Sequence, residues 1–270
     1  MDSFIKSILE QEHWEILKKD PGLPLPGTHE ALKGFHNFVI HADRNFQHRD
    51  KINIKVHPQG THKTAISHCH EFYEIPIVYS GKFYHQLDSL LLLQDTKHLL
   101  LLPPGTMHTP WCADDDTIVF NLLVCTFCME QDILPQLKEE MPVHSLIYNF
   151  LCDTNKNSEY LFVPLSDMAQ NLLRNMIVEF FKGQEYAQNI LIFQLLQLLF
   201  DISRKDSTVV RSAPVDKTSQ ILNYIQTHAS DNCTLQQTAD YFGYSVRHLS
   251  RLLNTSTSQN FSEWVRDFKL

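Results

Sequence analysis

The residues best suited to chemistry lie in two short segments of the chain. His68, His70 and Glu74 are close together in the first segment, and His108 ends the later run at residues 103–108. Imidazole nitrogens and carboxylate oxygens are ligand atoms for divalent transition metals in proteins. This set would suit zinc, nickel, iron, manganese or cobalt, and the ligand types alone do not choose among these metals. The spacing therefore predicts one site, built from both segments, for a metal or another small ligand.

A strand would bring the first two histidines together. Side chains alternate between the two faces of a strand, so His68 and His70 would point to the same face. If Glu74 continued that strand, it would lie roughly 13 Å beyond His70, whereas ligands of one ion lie about 2 Å from it. We therefore expect a bend at residues 71–73. The proline and glycine residues before His108 predict a tight turn that returns this histidine to the same interior.

The elements that must position these residues are typical of an α+β protein. An amphipathic helix is predicted over Ser3–Lys18, followed by a segment rich in proline and glycine at residues 21–27. Between residues 35 and 127, short apolar runs rich in branched residues alternate with turn residues. Many short strands at such spacing favour a sandwich or a barrel. The predicted fold is an N-terminal β-barrel followed by helices.

Two helices are predicted after the strands. Ser166 is a suitable N-cap for the first, in which apolar residues recur every three or four positions. The second, at residues 187–202, is apolar almost all round except for a narrow polar stripe at Gln194, Gln197 and Asp201. Such a helix is buried on most sides, either within its own chain or against a second copy. A homodimer is expected, because paired half-sites are common among DNA-binding proteins with the helices described next.

The last fifty or so residues predict a helix-turn-helix. Thr234 and Gln237 form a capping box, Gly243 suits a left-handed turn, and Ser245 can cap the next helix. The small side chain of Ala239 permits the close crossing that this motif needs. The helix after Ser245 would enter the major groove of DNA. Its candidate residues for contacts with bases and phosphates are Ser245, Arg247, His248, Ser250 and Arg251.

Charge and composition restrict the classes of protein. The 270 residues carry a formal net charge of −8, which argues against general affinity for nucleic acid. Residues 216–270, however, contain as many cations as anions, so the acidic excess lies elsewhere, as a local DNA-binding unit would require. The N-terminal sequence lacks the features of a signal peptide, and no segment approaches eighteen apolar residues. We expect a cytoplasmic protein without a membrane partner.

The first two segments resemble the two motifs of the cupin barrel. The pattern His-x-His-x3-Glu-x6-Gly is present from His68 to Gly81, and Pro-x-Gly-x2-His ends at His108. Cys112 occupies the position where cupins often have asparagine. The resemblance implies a barrel with metal ligands at His68, His70, Glu74 and His108. Regulatory barrels of this kind also bind organic effectors without metal, and a purely structural role for these residues is a third alternative.

The chain as a whole resembles transcription regulators of the AraC/XylS type. The likeness is strongest over residues 234–264, including Ala239-Asp-Tyr-Phe-Gly243 and the segment that follows it. It implies five parts: an N-terminal helix and linker at residues 1–34, a cupin-like sensor barrel at 35–128, a helical linker or dimerisation region at 129–206, a linker at 207–215 and a first helix-turn-helix unit at 216–270. This family usually carries a second such unit, which is missing before Leu270, so we expect a C-terminally truncated member.

The predicted function is effector-dependent regulation of transcription, not catalysis. A small molecule, such as a sugar or another metabolite, or a metal would bind near the four cupin residues and control binding to promoter DNA. The first alternative is a cupin metalloenzyme of the dioxygenase or isomerase type that uses the same four residues. The second is a truncated inhibitor that forms heterodimers with a full-length regulator.

Overall fold

The computed structural model describes residues 3–18, 38–42, 45–46, 50–57, 67–87, 90–114, 116–152, 160–204, 217–229, 233–257 and 259–268. The predicted proline- and glycine-rich segment at 21–27 and the predicted linker at 207–215 lie outside these residues. Within them, most strands precede most helices and the two types are not regularly alternated, so the α+β class is confirmed. No described helix has both the length and the apolar character needed to span a membrane.

The N-terminal helix α1 covers Ser3–Lys18, as predicted. Ile5 and Ile8 are buried in the main hydrophobic core. These two residues are three positions apart and therefore share one face of the helix. Their burial attaches α1 to the rest of the fold.

The strands form small sheets and do not form a continuous ring. They are β1 (Phe38–Ile40), β2 (Ile52–Val56), β3 (His68–His70), β4 (Tyr73–Ser80), β5 (Lys82–Leu87), β6 (Leu90–Asp95), β7 (His98–Leu101), β8 (Thr109–Cys112), β9 (Ile118–Val124) and β10 (Leu161–Pro164). The sheets have the strand orders β2-β9-β4, β6-β5-β8, β10-β7 and β1-β3, of which only the last pair is parallel. The predicted closed barrel is therefore wrong in this respect for the described strands.

The interruptions have physical causes. The chain bends between β3 and β4, and proline at positions 103 and 104 cannot donate a ladder hydrogen bond. Between β3–β4 and the segment at residues 102–108, the described residues are paired by isolated bridges. These bridges join His68 to His108 and Glu74 to Leu102. The sheets thus enclose the histidines without a complete hydrogen-bonded circuit.

Gly81 forms the tight connection between β4 and β5. Its φ of +80° lies in the left-handed region, which residues other than glycine rarely adopt. A Cβ at this position would also lie 2.4 Å from Thr117 Oγ1. The glycine of the first sequence motif is therefore required by the backbone, and it fixes where β5 begins.

Helices cover one side of the strands. They are α2 (Thr126–Cys128), α3 (Pro142–Cys152), α4 (Asp167–Lys182) and α5 (Ala187–Arg204). Ser166 caps α4 as predicted, because its hydroxyl accepts a hydrogen bond from the Ala169 N–H at 3.0 Å. In α5, Leu191, Leu195 and Leu198 are buried, whereas Phe193 is 69% exposed. One side of α5 therefore packs within the chain and the other does not.

The C-terminal helices are α6 (Lys217–His228), α7 (Leu235–Phe242), α8 (Val246–Thr257) and α9 (Phe261–Phe268). The capping box of Thr234 and Gln237 is present, and Gly243 ends α7 at a φ of +68°. The predicted apolar residues Ala239 and Leu249 are fully buried where α7 and α8 contact each other. Local capping and one shared core therefore stabilise this helical unit.

Candidate metal and effector site

The bend between β3 and β4 lies where the spacing of the first motif predicted it. Residues 71 and 72 form the bend, and β4 begins at Tyr73. The rings of His68 and His70 lie on the same side, with their centroids 4.8 Å apart. The backbone N–H of Glu74 donates to the Leu102 carbonyl at 3.0 Å, and the Leu102 N–H donates back at 2.9 Å. The bend therefore returns the Glu74 carboxylate towards the two histidines.

The turn at residues 103–105 brings the third histidine to the site. The Gly105 N–H donates to the His70 carbonyl at 2.8 Å, and His68 and His108 exchange two backbone hydrogen bonds of 2.9 Å. The His108 ring centroid consequently lies 4.5 Å from that of His68 and 5.0 Å from that of His70. The predicted return of His108 to the same interior is confirmed.

The four predicted residues form one compact group. Glu74 Oε2 lies 3.3 Å from His108 Nε2 and 3.5 Å from His70 Nε2. His70, Glu74 and His108 are all buried, and His68 is half-buried at the edge of the group. One ring nitrogen from each histidine lies within 4.8 Å of the other two. A single ion between these nitrogens would require only small movements of the rings.

The electrostatics of this group favour a cation. Burial lowers the pKa of His70 to about 4, with a further contribution from His108, so the His70 ring is neutral near pH 7. Burial alone would raise the pKa of Glu74, but the attraction of His70 and the contact with His108 hold it below its usual range. Glu74 Oε2 is buried beside His108 Nε2 and His70 Nε2. A neutral imidazole beside a buried carboxylate is the protonation state that metal binding requires.

Two further histidines lie beside the predicted four. His57 and His85 both contact the Phe83 ring, at centroid distances of 4.7 and 4.6 Å. His85 Nε2 donates to Gln94 Oε1 at 2.9 Å, whereas its Nδ1 has no hydrogen-bond partner among the described residues. The His85 and His108 centroids are 6.2 Å apart. The sequence analysis did not single out either residue. The spacing of Phe83 and His85, two positions apart on β5, places both on one face of the strand and could have indicated His85.

The lowered pKa values of His57 and His85 predict acid destabilisation between about pH 6.5 and 3. Burial lowers the pKa of His57 to about 4 and that of His85 to about 3, from an ordinary value of 6.5. The unfolded chain therefore binds more protons in this interval, so the free energy of unfolding falls as the pH is lowered. At pH 4.5, about two units below the ordinary pKa, we expect His85 to lower the free energy of unfolding by about 2–3 kcal/mol. One pKa unit corresponds to about 1.4 kcal/mol. Urea unfolding at pH 7 and 4.5 measures this loss, and it should be smaller in His85→Leu; an equal loss in that variant would contradict the assignment.

The predicted DNA-contacting residues lie at or near the start of α8. The Ser245 hydroxyl accepts a hydrogen bond from the His248 N–H at 3.2 Å, so it caps this helix. Arg247, His248 and Arg251 are exposed, and Ser250 is half-buried. The side of α8 that carries Leu249 packs into the helical core instead. This arrangement leaves a polar, partly cationic surface available for a ligand.

The chain matches no known family profile, and no curated protein sequence matches it. Comparison with solved structures finds low-scoring similarity to ToxT and to CuxR. An apo single-residue variant of ToxT from Vibrio cholerae strain SCE256 is 11% identical with a TM-score of 0.46, covering 83% of this chain and 82% of ToxT. Wild-type ToxT from the same strain, bound to an unsaturated fatty acid, is 12% identical with a TM-score of 0.37, covering 81% and 77%.

The AraC-like transcriptional activator CuxR is also similar. It is 11% identical with a TM-score of 0.35, and the match covers 83% of this chain and 77% of CuxR. Because these identities and TM-scores are low, the similarity does not establish the family of this chain.

Proposed function

We propose that this chain is a DNA-binding transcription regulator controlled by a ligand at His68, His70, Glu74 and His108. The observation that carries the proposal is the presence in one chain of a buried ligand-type cluster and a capped helix with exposed arginines. The ligand is a divalent transition metal or a small molecule such as a sugar or another metabolite. The ligand acts through its different affinities for two arrangements of the protein.

The proposed DNA contact uses α8 as a recognition helix. Arg247 and Arg251 are one turn apart, so both can face the same groove while Leu249 remains in the core. Arginine side chains suit both phosphates and the major-groove edge of guanine. The test is selection of a preferred sequence from a random DNA pool, followed by titration at increasing salt. A single preferred sequence with salt-dependent affinity supports the proposal, and the absence of sequence preference contradicts it.

The alternative function is a cupin-type metalloenzyme. Its specific support is the three ring nitrogens within 4.8 Å of one another, beside a buried carboxylate. A bound metal would supply Lewis-acid or redox chemistry at this place. In either function, Glu74 and the three histidines would hold the ion. Stoichiometric metal with turnover of a substrate and no sequence-specific DNA binding would favour the enzyme.

We infer that a homodimer forms through the exposed side of α5. Ile190, Phe193 and Phe200 on this helix are exposed, and so is Tyr186 just before it. Their separations of four, three and seven residues follow the 3.5-residue repeat of a helix that packs against another helix. A second copy of α5 is the matching partner, because an identical stripe is complementary in size and apolar character.

Phe193→Asp is expected to weaken this dimer at least about 30-fold, because truncated aromatic anchors at interfaces often cost about 2 kcal/mol or more. Sedimentation equilibrium measures the dissociation constant. Phe127→Asp is the matched control, since Phe127 is also exposed but does not lie on α5. Equal weakening by both substitutions, or a wild-type monomer, would contradict the α5 interface.

A further inference from the structure

Strand β5 separates the histidine cluster from the C-terminal helices. Its alternation places Phe83 and His85 on one face and Tyr84 on the other. In the paired strand β6, Gln94 is opposite Phe83 and Leu93 is opposite Tyr84, so each face continues across the sheet. The sheet β6-β5-β8 therefore has one face towards the cluster and one face towards the helices.

The inner face contacts the candidate ligand site. The Phe83 ring packs against His57, and His85 lies beside His108. Gln94 accepts from His85, and its amide donates to the carbonyls of Pro76 and His98 at 2.8 and 3.1 Å. This network joins β4, β5, β6 and β7. A shift of His108 on binding a ligand would thus press on side chains that belong to the sheet.

The outer face contacts the helical unit α6–α9. The Tyr84 ring stacks on Trp111 with a centroid distance of 5.3 Å and meets the edge of Trp264 at 5.4 Å. Tyr84, Trp111 and Leu91 belong to the same buried cluster as the core residues of α6, α7, α8 and α9. Lys82 Nζ also donates to the Thr255 carbonyl of α8 at 3.1 Å. The helical unit therefore docks on the sheet through aromatic packing and the polar contact of Lys82.

This docking leaves the proposed DNA-contacting residues accessible. Arg247, His248 and Arg251 are exposed while Trp264 and Leu253 are buried. The sensor half does not mask the proposed DNA-contacting surface at the start of α8. A ligand that controls DNA binding through this interface must therefore change the position or mobility of the helical unit.

We propose that the sheet β6-β5-β8 couples occupancy of the histidine cluster to the docking of α6–α9. Bound metal would fix His108 and the neighbouring inner face, and the better ordered sheet would hold Tyr84 and Lys82 more firmly against the helices. The proposal rests on the proposed function, because it needs a ligand at the cluster. Linkage requires the reverse effect as well, so undocking the helices would weaken binding at the cluster by the same factor.

Hydrogen exchange measured by mass spectrometry, with and without Zn²⁺ alone, tests this coupling. In the wild type we expect Zn²⁺ to slow exchange in α6–α9 by about 5- to 150-fold, the usual range of coupling between sites. Tyr84→Ala should still bind Zn²⁺, but exchange in α6–α9 should be fast with and without the metal. Bound Zn²⁺ that leaves exchange in α6–α9 unchanged in the wild type would overturn the coupling and leave the metal site intact.

A second variant tests the sheet without any metal. His85→Leu changes only the inner face and should speed exchange in α6–α9 by about 5-fold or more, the lower end of that range. Exchange in α4 should stay the same, since α4 lies outside the docked unit; equal acceleration in α4 would indicate general destabilisation and overturn the interpretation. His41→Ala is the control, because His41 is exposed and contacts Glu71 instead. Unchanged exchange in His85→Leu would also overturn the coupling. This result does not depend on Zn²⁺, so it can be told apart from a failure of Zn²⁺ to bind, which would contradict only the proposal of a metal ligand.

Discussion

His108→Ala is expected to remove the metal from a protein that otherwise purifies with about one ion per chain. The His108 side chain is fully buried and lies 3.3 Å from Glu74 Oε2, so its loss deletes a ligand and leaves the carboxylate with fewer contacts. His68→Ala should have the same effect, because its ring lies 4.5 Å from that of His108. Elemental analysis of protein purified without a histidine tag gives the measurement.

His248→Ala is the matched control for this experiment. It removes the same side chain from an exposed position on α8 and should leave the metal content unchanged. A wild-type protein without metal would exclude a tightly held ion and leave an organic effector as the ligand to be sought. Equal metal content in the wild type and in both cluster variants would show that the ion binds elsewhere.

Substitution of both Arg247 and Arg251 by alanine is expected to weaken binding to the selected DNA by roughly 30- to 1,000-fold. A good arginine contact contributes about 1–3 kcal/mol, and two contacts of about 1–2 kcal/mol each give this range. The helix should remain folded, because both side chains are exposed while Leu249 and Leu253 hold α8 in the core. Fluorescence anisotropy at several salt concentrations measures the affinity and its salt dependence.

The two single substitutions separate the kinds of contact. Loss of a phosphate contact should weaken all sequences alike and reduce the salt slope by about one, whereas loss of a base contact should relax specificity at one position. Arg174→Ala in α4 is the control, since it changes the net charge as much as each single substitution but lies over Tyr79 in the sensor half. A double variant that binds DNA like the wild type would refute the role of α8.

The capped helices were predictable from sequence because their signals are local. Ser166, Ser245 and the Thr234–Gln237 pair cap the predicted helices, and Gly243 ends α7 where a left-handed turn was expected. These features depend on hydrogen bonds within one turn of helix. The residues that form each apolar face also follow from periodicity alone.

The core of the ligand site was predictable for a similar reason. The distance limit between His70 and Glu74 required a bend, and the proline-glycine turn allowed His108 to return to the same interior. The closed barrel was not borne out among the described strands, because closure depends on pairing between distant segments. The dimer and the identity of the ligand stay predictions.

Local signals in the sequence were sufficient to predict the helices, their caps and the four candidate ligand residues. Three features follow only from the folded chain: His57 and His85 lie beside these four residues, one side of α5 is exposed, and Tyr84 packs against Trp264. The reason is the range of the interactions involved. Periodicity and capping act over a few residues, whereas these contacts connect segments whose meeting is fixed by strand register and by the packing of the whole chain.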